Sequence, residues 1–180
     1  SVSVLGLGCN AFGTRIGPEQ AREVIVAALD EGVTFFDTAD GYGRPFGASE
    51  EILGAVLHDL DGEWLIATKG GANPEGWSHP PSASRAWLMQ AVEDSLRRLR
   101  VETIDFYQLH FPDPATPIEE TLRAMDDMVA QGKVRAIGCS NFTVEQIREA
   151  ARTSAAHGLA RFESTQDEYH MLMPDRAELL

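Results

Sequence analysis

Short apolar runs alternate with longer amphipathic stretches along the whole chain. Val2–Leu7, Val33–Phe36, Trp64–Thr68, Ile104–Leu109, Val134–Gly138 and Arg161–Thr165 have the length and β-branched or aromatic content of strands. Between them the apolar residues step by three and four, the spacing of one helix face. The first helix is predicted from Pro18, a residue suited to the first helical position, with Val24, Ala27 and Ala28 on its apolar face and Gly32 as its stop. The second is predicted from Ser49, burying Ile52, Leu53, Val56 and Leu57. The third runs over Ser84–Leu99 with the stripe Leu88, Val92, Leu96, Leu99. Thr116-Pro117-Ile118-Glu119 reads as a capping box opening a fourth helix with Ile118, Leu122, Met125 and Val129 inward. Thr143-Val144-Glu145-Gln146 reads as a second capping box, for a fifth helix ending near His157-Gly158, and a last helix is predicted from about Pro174-Asp175.

Six strand–helix units with short connections imply a parallel sheet with right-handed crossovers. Two architectures compete. A doubly wound dinucleotide fold should carry G-x-G-x-x-G after its first strand. Here Gly6-Leu7-Gly8-Cys9-Asn10-Ala11-Phe12-Gly13 brings the third glycine two positions late. The barrel alternative explains better why polar residues recur at the ends of successive strands. The expectation is therefore a (β/α)8 barrel of the TIM type, incomplete in this chain, with strands one to six present in a single domain over residues 1–180.

Those polar residues have matched chemistry. Asp37 closes the second strand, Lys69 the third and His110 the fourth, while Tyr42 follows Asp37 on a short Gly-rich loop. Side chains at the C-terminal strand ends of a parallel barrel converge on one pocket. Singly, each has an ordinary explanation as a turn residue, surface charge, loop packing or core histidine. In order and in register on three consecutive strands, a carboxylate, an ammonium, a phenol and an imidazole point to proton delivery to a carbonyl oxygen. A free phenol is weakly acidic, with a pKa near 10. An ammonium ~4 Å away favours the phenolate by roughly 4 kcal/mol at an effective dielectric of ~20, so Lys69 is expected to lower the pKa of Tyr42 by about three units. Asp37 is expected to supply the counter-charge, and His110 to orient the carbonyl and help the proton along. No metal is needed.

Composition narrows the partners. The 180 residues carry 15 basic and 28 acidic side chains, for a net charge of −13. Such a surface repels phosphate backbones and anionic lipid, so neither nucleic acid nor membrane is expected as partner. Arg97, Arg98 and Arg100 cluster where cations favour the negative end of the third helix, and are read as helix capping rather than an anion site. Cys9 and Cys139 show no metal-ligand spacing and read as buried free thiols of a cytoplasmic protein. His58, His157 and His170 receive no role. Trp77 and His79, on the Pro-rich loop after the third strand, are candidates to line a substrate cleft.

The motifs carry a family likeness. Asp37-Thr38-Ala39 with Tyr42-Gly43, Ala67-Thr68-Lys69, Tyr107-Gln108-Leu109-His110, Gly132-Lys133-Val134-Arg135, Gly138-Cys139-Ser140-Asn141 and Gln166 together resemble the aldo-keto reductases, in order over essentially the whole chain. The resemblance implies a (β/α)8 barrel that reduces aldehydes and ketones with NADPH, or with NADH. It implies a catalytic tetrad of Asp37, Tyr42, Lys69 and His110, nicotinamide-carboxamide contacts from Ser140, Asn141 and Gln166, and a small-molecule carbonyl substrate. It also implies a seventh and an eighth strand–helix unit, so the chain is expected to be part of a longer polypeptide; Ser1 is not an initiator Met, and the start is expected upstream of it. A cofactor-binding regulatory subunit of the same fold is the alternative, as is an inactive fragment.

Overall fold

The computed structural model describes residues 2–73 and 82–168. Six strands form one parallel sheet in chain order: β1 (Gly6–Gly8), β2 (Phe35–Asp37), β3 (Leu65–Gly70), β4 (Ile104–Leu109), β5 (Val134–Ser140) and β6 (Ser164–Gln166). The connecting helices are α1 (Pro18–Asp30), α2 (Ala48–His58), α3 (Arg85–Leu99), α4 (Ile118–Ala130) and α5 (Val144–His157). The strands curl into an incomplete (β/α)8 barrel. The helix predicted near Pro174 and the residues Trp77, His79 and His170 lie outside the described residues.

Register follows from strand periodicity. Phe36, Ile66, Tyr107, Ile137 and Cys139 are all buried, so this set of alternating side chains lies in the layer between sheet and helices. On the other face two rows run across the sheet. Gly8, Asp37, Ala67, Phe106 and Ala136 share one level, and Lys69, Gln108, Gly138 and Ser164 the next, toward the C-terminal strand ends. Phe35 and Phe106 meet edge to face on this side, with ring centroids 6.2 Å apart.

Several expected boundaries move. The first strand starts at Gly6 rather than Val2, because only Gly6–Gly8 find ladder partners in Phe35–Asp37, and Val4 and Leu5 stay exposed. The sixth is confined to Ser164–Gln166, while Phe162 packs edge-on against Phe142 instead of extending it. α1 buries Ala21 and Ile25, a face rotated from the predicted Val24, Ala27 and Ala28. In α3, Ser95 takes the buried place expected of Leu96.

The capping box at Thr116 does not form. Pro117 is the N-cap, and the Thr116 hydroxyl instead donates to Asp113, which also accepts from the amides of Ala83 and Ala115. A carboxylate that gathers a loop outcompetes the cap for the hydroxyl. The box at Thr143 is complete, with Gln146 and Thr143 exchanging reciprocal bonds. Both cysteines are buried free thiols, as expected.

Candidate active site

β2 ends in Asp37, and β3 carries Lys69 one level higher. The two meet because a parallel neighbour is staggered along a tilted sheet. Lys69 Nζ donates to Asp37 Oδ1 at 2.7 Å, to Oδ2 at 2.8 Å and to the Thr38 carbonyl at 3.0 Å. Three acceptors match the three hydrogens of an ammonium. The lysine is 1% exposed, so this pairing compensates a charge that water cannot reach.

The loop after β2 returns Tyr42 to the same place. Lys69 Nζ lies 5.2 Å from the centroid of the Tyr42 ring. His110, one residue past β4, crosses that ring edge to face at 5.5 Å and stacks on Phe111 at 4.6 Å with planes 8° apart. The four side chains singled out in the sequence therefore occupy one location.

Their electrostatics differ from expectation in one respect. The Tyr42 phenol is pushed up to about 12, by burial first and then by the negative charge of Asp37. Burial and the Asp37 charge outweigh the lowering expected of Lys69. His110 is pulled down to about 3, first by burial and then by the Lys69 charge. At neutral pH the site thus holds a protonated phenol and a neutral imidazole. The histidine can donate a ring N–H to an oxygen, but it has no imidazolium proton to give.

The three expected cofactor contacts also cluster. Ser140 and Gln166 are register partners across β5 and β6, and the Ser140 hydroxyl donates to the Gln166 carbonyl at 2.8 Å. Asn141 sits at φ 63°, a left-handed conformation that asparagine tolerates better than most residues. Its amide nitrogen donates to the His110 carbonyl at 3.0 Å and to the Ser140 hydroxyl at 3.0 Å. Ser140 and Asn141 are thereby held beside His110, with the Gln166 backbone closing the cluster.

Sequence reasoning missed a layer behind these groups. Arg98, read as helix capping, is 9% exposed and pairs through Nε with Glu50 Oε2 at 2.6 Å; Glu50 is fully buried. Arg97 is a surface helix residue paired with Asp94, and Arg100 is the exposed C-cap of α3. Asp40, 1% exposed, accepts from the Gly71 amide, and burial beside Glu50 pushes its carboxyl well above the usual range. No periodicity marks these contacts, since each joins residues far apart in sequence.

A curled parallel sheet with an Asp, Lys, Tyr and His gathered at its C-terminal end marks the candidate active site of an incomplete (β/α)8 barrel, and comparison with known proteins gives the family. The model of the aldo/keto reductase family matches residues 4–180, and the chain belongs to that family. It is 42% identical over 151 residues to the aldo-keto reductase YhdN of Bacillus subtilis, an alignment covering 81% of this chain and 45% of that protein. A probable voltage-gated potassium channel subunit beta of Arabidopsis thaliana is 32% identical over 184 residues, covering 98% of this chain and 54% of the relative. The solved structure of the glycerol dehydrogenase AKR11B4 from Gluconobacter oxydans superposes with a TM-score of 0.82 at 37% identity, covering 97% of this chain and 54% of that one. The chain spans about half the length of these relatives.

Proposed function

We propose that this chain carries the proton-delivering half of an NADPH-dependent carbonyl reductase acting on small aldehydes or ketones. The observation that carries the reading is the Tyr42 ring 5.2 Å from an ammonium held by three acceptors, with His110 edge to face on the same ring. When bound, the dinucleotide would supply the hydride. Ser140, Asn141 and Gln166 would hold its carboxamide, fixing the nicotinamide against the site.

The remaining work belongs to the protein. His110, neutral because it is buried beside Lys69, donates a hydrogen bond that orients the substrate oxygen. Tyr42 passes its proton to that oxygen as negative charge develops there. A phenol pushed up to about 12 is a weak acid in the resting site, which keeps the proton in place until an alkoxide, a far stronger base, forms. The tyrosinate left behind is stabilised by the nearby Lys69 ammonium, which Asp37 holds in place.

The test is reduction of 4-nitrobenzaldehyde by the full-length protein with NADPH, followed as loss of the reduced cofactor's absorbance. Tyr42→Phe should lower kcat at least ~100-fold, in line with the loss of a general acid. Turnover unchanged by that substitution would remove Tyr42 from the mechanism. The likeness to a potassium channel subunit beta favours a second reading, a binding role in the same fold. Retention of the dinucleotide through gel filtration, with negligible turnover on a broad carbonyl panel, would favour that role.

A further inference from the structure

We propose that Ser49 and Glu50, in the first turn of α2, are positioning residues that set the Lys69 ammonium beside Tyr42. The inference rests on the reductase reading for its kinetic consequences, and on geometry alone for the placement of the lysine.

Two adjacent side chains tie together three strand ends. The Ser49 hydroxyl donates to the Cys9 carbonyl, just past β1, at 2.7 Å. Its only hydrogen is thereby used, so in the 2.9 Å contact with Thr38 it must accept, and Thr38 must donate. The Thr38 carbonyl is the third acceptor of Lys69. The Ser49 amide, in turn, donates to the Tyr42 carbonyl at 3.1 Å. One serine therefore touches both the residue that holds the ammonium and the backbone that carries the phenol. Glu50 fixes the strand on the other side, accepting the hydroxyl of Thr68, the residue before Lys69, at 2.6 Å.

All four of these side chains, Thr38, Ser49, Glu50 and Thr68, are fully buried. Stability alone is a weak reason for a buried carboxylate here, because an apolar pair of similar volume is often as stable as a buried ion pair. Two features accommodate the charge. Glu50 lies in the first turn of its helix, where the dipole favours an anion, and Arg98 reaches it from α3. Arg98 passes over Gly47, whose φ is 82° and where a Cβ would stand 2.6 Å from the arginine side chain. A glycine at that N-cap both adopts the left-handed turn and leaves room for the guanidinium.

The chain contains only two lysines, Lys69 and Lys133, which makes the test direct. Lysine reactivity toward an amine-methylating reagent is followed by mass spectrometry in the full chain, with Lys133 as the internal standard. In the native protein Lys69 is protected. Ser49→Ala should raise its labelling at least tenfold with Lys133 unchanged, and should lower kcat by about ten- to a hundredfold with KM and cofactor affinity held, the signature of a misplaced group. Met128→Ala, a core truncation on α4, serves as the destabilised control and should leave Lys69 labelling and kcat unchanged. Thr38→Val with Ser49→Ala removes both hydroxyls, leaving no Thr38 donor unpaired, and should free Lys69 equally. Labelling at the native rate in folded variants overturns the proposal even if the wild type is an active reductase. A wild type without turnover sinks the reductase reading but leaves the labelling result to decide this one. Failure of both variants to fold also overturns it, by making the pair a requirement of the fold rather than of the lysine's placement.

Discussion

The neutral His110 makes the folded state sensitive to acid in a way that can be isolated. Its pKa falls from 6.5 to about 3 on folding, through burial and the Lys69 charge. Between those values the unfolded chain binds a proton that the native state refuses. Stability therefore rises with pH across that window and is lost as pH falls through it, at about 1.4 kcal/mol per unit. The perturbation is His110→Gln, which keeps a polar side chain but cannot titrate. Urea unfolding of both proteins, read by tryptophan fluorescence at a series of pH values, gives two stability curves. Groups that titrate alike in both, such as the buried Asp40, cancel in the difference. Between pH 7 and pH 4.5 the wild type should lose roughly 2–3 kcal/mol that the variant retains. Curves that stay parallel to within about 0.5 kcal/mol would refute a buried neutral imidazole beside Lys69.

Two further outcomes are expected. In the cofactor-free protein, the phenolate signal lost in Tyr42→Phe should belong to a group ionising well above the ordinary value of 10, since burial and Asp37 both oppose the charge; a difference titration reading below 10 would contradict this. Gly54→Ala should destabilise by about 1–3 kcal/mol, the usual range for overpacking, because the new Cβ would stand 2.5 Å from the Arg98 carbonyl at the end of α3; denaturant midpoints test it.

The amino-acid sequence by itself determined the alternation of strands and helices, the parallel sheet and the four polar strand-end residues. Each is local: a run of apolar residues, a glycine stop, or a side chain at a fixed offset from a strand. Ile104–Leu109 and the capping box at Thr143 were legible because one element's own residues satisfy them. Where a boundary depended on a partner strand, as at Gly6–Gly8 and Ser164–Gln166, the pattern ran on past the ladder. The resting protonation of the site was also beyond reach. Whether Lys69 makes Tyr42 more acidic depends on how strongly burial and the Asp37 charge oppose it. The layer formed by Ser49, Glu50 and Arg98 is tertiary in origin. Its side-chain hydrogen bonds span from 11 to 48 positions, between elements that meet only once the sheet has curled, so no spacing along the chain records them.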